Sequence, residues 1–235
     1  CEMAEEKIAE RIDANLLDIP IQQLQDPLLT KQKYRAKMDV LKKKTQGKLV
    51  IKEYPTASAH VGHFKALLNE LSLKKGFHPE IIFVDYLNIC ASSRYKGTIV
   101  NSYTYVKAIA EELRGLAGEY NVPILSATQT TRSGYGNSNV EITDTSESFG
   151  LPATADLMFA LISTEDMEEL NQIMVKQLKN RYNDPTVYKR FVLGIDRQKM
   201  RLYDCEQGAQ ENIIDAGDAP KSFTDTKKSF EGFKI

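Results

Sequence analysis

The sequence predicts an α/β fold: a mostly parallel, twisted sheet flanked by helices, with antiparallel strands at its C-terminal edge. Three observations carry that expectation. Ile81-Ile82-Phe83-Val84 is an unbroken apolar run that stops at Asp85, and Pro123-Ile124-Leu125-Ser126-Ala127 is a second short run followed by Gln129. Runs without polar alternation read as strands buried on both faces, as in a parallel sheet. Helical stretches alternate with them, which implies parallel strands and right-handed crossovers. From Ile173 onward, strand-like runs are separated by short turns, and this end of the sheet reads as antiparallel.

The elements follow in order. Met3, Ile8, Ile12, Leu16 and Leu17 recur at helical spacing, with Glu5, Glu6, Lys7 and Arg11 between them. Pro20 closes this helix or opens the next. Residues 28–44 read as mostly helical, and the run Lys42-Lys43-Lys44 is a solvated end that complements the helix dipole. Gly47 breaks the helix, and Leu49-Val50-Ile51 reads as a short strand ended by Pro55. Ser58 is placed to cap a helix over 59–73, whose Val61, Phe64, Leu67, Leu68 and Leu71 share one face. His60 and His63 lie three apart on it, but no third metal ligand is near in sequence. Gly76 and Pro79 precede the strand that ends at Asp85.

The loop 91–101 carries Arg94 and Lys96, and a long helix follows over 102–120, with Val106, Ile109, Ala110, Leu113 and Leu116 facing inward. After the 123–127 strand, residues 130–148 are rich in Gly, Ser, Thr and Asn, and a loop this long in a compact domain is usually functional or disordered. Residues 155–162 read as a strand with Asp156 near its start, 167–170 as a short helix or turn, and 173–179, 188–195 and 200–203 as strands. The residues from 206 lose periodicity and read as a tail, acidic at first and then carrying Phe223, Phe230 and Phe233 among lysines, either flexible or docking on a partner.

A chain of 235 residues suffices for one large α/β domain or two small ones. The net charge of −1 excludes a chain dominated by one basic surface, though not a local basic loop that touches phosphate. Cys1, Cys90 and Cys205 are far apart and odd in number, which fits a reducing compartment and forms neither a disulfide framework nor a zinc cluster. No apolar stretch is long enough for a membrane span and no signal peptide is evident, so a cytoplasmic protein with no membrane partner is expected. The first residue is Cys1, not Met, which reads as a start inside a larger protein.

Glu2, Asp85 and Gln129 fall at the ends of expected parallel strands, where open α/β sheets bind ligands. Such a set suits metal-assisted hydrolysis of a phosphoanhydride: one acid holds magnesium, one activates water, and an amide reports the terminal phosphate. Lys179 and Arg181 leave a strand two residues apart and so point the same way, as a pair that can neutralise phosphate charge. The plain alternatives are a solvated strand-end acid, a commonplace strand-end amide and a solvated basic pair. A phosphate loop of the form GxxxxGK[ST] does not occur. The Gly47-Lys48 pair follows a helix, has Lys42 at the first Gly position and is followed by Leu49. No Ser-His-Asp or Cys-His arrangement competes, since the histidines are His60, His63 and His78.

The segments CEMAEE, IIFVDYL, SATQTTRS, SESFGLPATADLMFAL and KNRYNDPT, in that order, resemble the RecA-type motor domain of DnaB-family replicative helicases. Segments such as MAEE, RIDAN, VDYL and GLPATAD are similar to the phage T4-type members. The resemblance covers residues 1–205 as a partial RecA-like motor domain, with 206–235 as the tail. It implies a P-loop NTPase core, ATP and Mg²⁺ as cofactors, and a hexameric ring moving 5′ to 3′ on single-stranded DNA. Primase and a helicase loader are implied as further partners, and host cytoplasm as the location if the protein is phage-encoded.

By resemblance, Glu2 activates the attacking water, Asp85 is the Walker B acid that holds magnesium through water, and Gln129 senses the terminal phosphate. Lys179 and Arg181 match the basic pair offered to a neighbouring subunit's nucleotide, with Arg181 as the finger. Residues 144–150 match a DNA-gripping loop that includes Ser146, Glu147, Phe149 and Gly150. Ser146 stands at the family's basic position and Phe149 where many members have Gly, which leaves Arg132 to supply a charge. The family's phosphate loop and first strand lie upstream of the segment matching CEMAEE. The resemblance therefore implies a piece of a longer protein, from a truncated reading frame or a chain cut at Glu2. Such a piece would lack a central strand, leave a gap or an exposed edge, and not hydrolyse ATP by itself. The alternatives are a recombinase or clock-type RecA relative and a non-catalytic DNA-binding or assembly module.

Overall fold

The computed structural model describes residues 3–24, 26, 31–45, 47–95, 100–130, 140–142, 150–184, 186–206 and 210. Two sheets organise them. In the first, β1 (Ile82–Val84) pairs in parallel with β2 (Ile124–Ser126), aligning Val84 with Ser126. In the second, β3 (Leu157–Ile162), β4 (Gln172–Asn180), β5 (Arg190–Asp196) and β6 (Arg201–Asp204) form an antiparallel meander in chain order. The α/β class holds, with a parallel part followed by an antiparallel C-terminal part.

The crossover from β1 to β2 is α5 (Ser102–Tyr120). Asn101 caps it by accepting from the Thr104 amide, and Asn121 ends it in the left-handed region at φ 51°. Its inward residues Val106, Ile109, Ala110, Leu113 and Leu116 are all buried, as their spacing predicts. Val106, Ile109, Ala110 and Leu113 pack with Val84, Leu87, Cys90 and Leu151 into one core, against which Phe64, Ile82 and Ile124 lie. A second core, Val140, Ala160, Ile162, Met174 and Val192, sits on the antiparallel sheet.

The sequence expectation of strands buried on both faces is corrected. Val84 is buried, whereas Phe83 is 68% exposed and Ile81 and Leu125 are exposed too. Helix α5 covers one face, and no described element covers the other. Leu49-Val50-Ile51 forms no strand. A cleft of about 1300 Å³ is lined by residues 47–54 on one side and by β1 on the other, with α1 (Glu5–Leu17) and α4 (Val61–Lys75) also lining it. Without a neighbour at hydrogen-bonding distance, an apolar run gains no ladder. Glu5 instead holds this segment, accepting from the Glu53 amide (2.8 Å) and the Lys52 ammonium (3.4 Å).

Helix α1 ends at Asp18, in the left-handed region at φ 55°. Its last turn is tied to the β5–β6 turn: Asn15 donates to the Met200 carbonyl at 2.6 Å, and Asp18 receives Lys199 at 3.0 Å and Arg201 at 3.1 Å. Helix α2 (Ile21–Leu24) adds the Ile21 amide, which donates to the Gln198 carbonyl. Helix α3 (Lys31–Lys44) joins through the Tyr34 hydroxyl, which donates to Asp13. Ser58 does not cap α4: its hydroxyl donates to the Pro55 carbonyl. The cap is His60, which accepts from the Gly62 amide while His63 accepts from the His60 amide. That reciprocal box accounts for the three-residue histidine spacing without a metal.

Candidate functional site

The parallel pair brings two of the expected residues to one edge. Asp85 follows β1 directly and is joined to Tyr86 by a cis peptide bond, and Gln129 lies three residues past β2. The ends of the two strands are fastened together. The Ser126 hydroxyl donates to the Val84 carbonyl at 2.8 Å, the Leu87 amide to the Ala127 carbonyl at 3.2 Å, and the Thr128 hydroxyl to the Asn88 side chain at 2.8 Å. The Gln129 amide nitrogen then donates to the Tyr86 hydroxyl at 3.1 Å. A carboxylate, a phenol and an amide thus share the C-terminal edge of the parallel pair.

The loop beyond Asp85 is held from behind. A short 3₁₀ turn, Leu87–Ile89, leads to Ser92 and Ser93, which converge on Glu112 of α5. Glu112 is 8% exposed, and its carboxylate accepts from both hydroxyls and from the Ser93 and Arg94 amides. Burial pushes its pKa up, but these donors outweigh it and hold the carboxyl below its ordinary value. Periodicity places Glu112 on α5, yet nothing in the helix pattern marks it as buried. Its donors lie 18 to 20 residues earlier in the chain.

Lys179 and Arg181 lie at and just past the end of β4 and turn to one side. The Lys179 ammonium donates to the Pro152 carbonyl at 2.5 Å, and Arg181 to the Ala153 carbonyl at 3.0 Å. Both acceptors lie on α6 (Gly150–Thr154), a helix that sequence periodicity does not reveal. Arg181 also contacts Asp156 at 2.6 Å, and Arg114 of α5 reaches the same Oδ1 at 3.0 Å. Burial and the nearby Arg181 pull the Lys179 ammonium below its ordinary pKa; Asp156 opposes this and Arg114 adds to it. Neither Arg114 nor the hub role of Asp156 is visible in the sequence, since their contact spans 42 residues.

Gly150 opens α6 and is buried, and a Cβ there would meet the Lys107 side chain at 2.9 Å. Glu2, Arg132, Ser146, Glu147 and Phe149 lie outside the described residues. Among the described residues, no group of three His, Cys, Asp or Glu side chains assembles for a metal. That donor set still fits magnesium, a hard cation that commonly takes one or two carboxylates plus waters and substrate phosphates. Asp85 is the described carboxylate at this edge. No described helix is long and apolar enough to cross a membrane.

Comparison with known proteins gives the family. The DnaB-like helicase C terminal domain family matches residues 1–191. The DnaB-like replicative helicase of Enterobacteria phage T4 is 45% identical over 207 residues, which is 88% of this chain and 44% of that protein. The chain therefore spans less than half the length of this relative. Two solved structures share the fold at 17% identity. One, described as a DnaB-like replicative helicase and its interactions with primase, has a TM-score of 0.67 over 87% of this chain and 49% of its own. The other, described as an ATPase domain, has a TM-score of 0.69 over 87% of this chain and 72% of its own. With the motif order, the strand-end residues and the RecA-like fold, these matches show that the chain belongs to the family of DnaB-like helicase C-terminal domains.

Proposed function

We propose that this chain supplies most of the motor domain of an ATP-dependent replicative helicase that moves 5′ to 3′ on single-stranded DNA as a hexameric ring. The observation that carries the reading is the fastened edge of the parallel pair, where Asp85 and Gln129 share the Tyr86 neighbourhood, in a chain 45% identical to a replicative helicase. In this reading Asp85 holds magnesium, which when bound offsets phosphate charge. Gln129 contacts the terminal phosphate and Glu2 orients the attacking water. Lys179 and Arg181 serve the nucleotide of an adjoining subunit. The loop that includes Ser146, Glu147, Phe149 and Gly150, with Arg132, grips DNA phosphates in a sequence-independent and salt-sensitive way. Primase and a loader are its further partners.

The sequence holds no GxxxxGK[ST] loop, so the chain by itself is proposed not to hydrolyse ATP. The test has two arms. ATPase activity with and without single-stranded DNA is measured for this chain alone and for the chain joined upstream to a strand bearing GxxxxGK[ST]. DNA-stimulated hydrolysis is expected in the joined protein, and its loss in Asp85→Asn. The joined protein should open forks with a 5′ tail and leave 3′-tailed forks closed. Equal activity on both forks, or none, overturns the helicase reading, and hydrolysis by the unjoined chain overturns the inactivity.

A further inference from the structure

Arg114, Lys179 and Arg181 all end on one turn of their own chain. The carbonyls of Pro152, Ala153 and Thr154 accept from Lys179 (2.5 Å), Arg181 (3.0 Å) and Arg114 (2.5 Å) respectively. Carbonyls at the end of a helix lack intrahelical partners and carry its negative dipole end, so they attract cations. Two residues on, the Asp156 carboxylate takes both guanidiniums on one oxygen, and the Asp156 carbonyl accepts from the Arg181 amide at 2.9 Å. One carboxylate thus faces three cations, and the cluster keeps an excess of positive charge. A phosphate oxygen beside the Arg181 guanidinium would make the contact that the Asp156 oxygen now makes. The three charged side chains of this bridge are one-third or more exposed, so a dissolved anion can reach them, and ion pairs this open exchange readily.

We propose that Asp156 is a built-in stand-in for a phosphate group: it parks Arg181 on its own chain, and a polyphosphate anion displaces it to free Arg181. The proposal rests on the reading of Lys179 and Arg181 as a phosphate-facing pair. Asp156 and Arg114 are positioning residues, because they act through Arg181. Arg114 divides the carboxylate's attraction between two guanidiniums, which weakens its hold on Arg181 and keeps the charge matched once Arg181 leaves. The carboxylate is tethered beside its partner, so it competes at high effective concentration with any free anion.

The probe is sodium tripolyphosphate, titrated calorimetrically into the whole 235-residue chain at low salt. Removing the tethered competitor in Asp156→Asn should tighten binding by about tenfold, and Asp156→Glu should restore the parent affinity. Adding Arg181→Ala to Asp156→Asn should erase the gain. Arg114→Gln leaves the carboxylate to Arg181 alone, and binding should weaken severalfold. The proposal is overturned if Asp156→Asn binds no tighter, or if its gain survives Arg181→Ala. If circular dichroism shows Asp156→Asn to be unfolded, Arg114→Gln decides: unchanged or tighter binding overturns the parking role. The titration needs no ATP hydrolysis and no DNA, so its failure is separable from failure of the helicase reading, which the fork assay reports.

Discussion

The two sheets are built from similar sequence material and reach different states. The parallel pair has strands of three residues each, one covered face and a large aromatic, Phe83, on the other. The antiparallel meander has strands of six, nine, seven and four residues, whose central pair buries Met174, Val175 and Val192. A two-stranded sheet is marginal without support, and among the described residues the support is α5, with Phe64 of α4 against the same core, and the fastened strand ends. The residues proposed for nucleotide chemistry sit on the weaker sheet, and the basic pair sits at the end of the stronger one. An edge that is proposed to respond to a ligand is suitably drawn from the less stable part of a fold.

The largest expected effect breaks the stronger sheet. Met174 is 4% exposed, and Met174→Ala should cost about 2–5 kcal/mol in urea unfolding, as core truncations do. Next comes the clamp behind the weaker sheet. Glu112→Gln leaves buried donors short of an acceptor and should cost about 1–3 kcal/mol at pH 7. The sign of the pH effect follows from the lowered pKa. The Glu112 contribution is full above the unfolded value of 4.5 and is lost as pH falls through the lower folded value, so parent and variant stabilities should converge in acid. Convergence on the alkaline side would contradict the clamp. The smallest effect is at Phe83: Phe83→Ser should change stability by no more than about 0.5 kcal/mol, because little of the ring is buried. Amide hydrogen exchange completes the series. The amides of β1 and β2 should exchange well before those of Met174 and Val175, and equal protection would remove the contrast.

What was legible from the residues were the patterns local to one element. The inward stripe of α5 was readable because five apolar side chains recur at its period, and the meander because its runs are separated by a few turn residues. The strand at 49–51 failed because an apolar run does not encode whether a partner lies beside it. The coverage of β1 failed likewise, since burial of its second face depends on elements elsewhere in the chain. His60 and His63 raised a metal question that capping geometry answers. Among the proposed site residues, Asp85, Gln129, Lys179 and Arg181 stand out by position at or just past strand ends. Glu112, Arg114 and Asp156 do not, because each matters through a partner distant in sequence, and a lone charged residue on a helix or in a connection carries no sign of it.

The anchoring of α1 reaches into how the protein is made. The last turn of α1 is secured to the β5–β6 turn through Asn15 and Met200, 185 residues apart. During synthesis this helix leaves the ribosome long before that turn exists. The contact between the end of α1 and this turn therefore forms only after residue 200 has been translated, and closing so long a loop adds an entropic cost to that step.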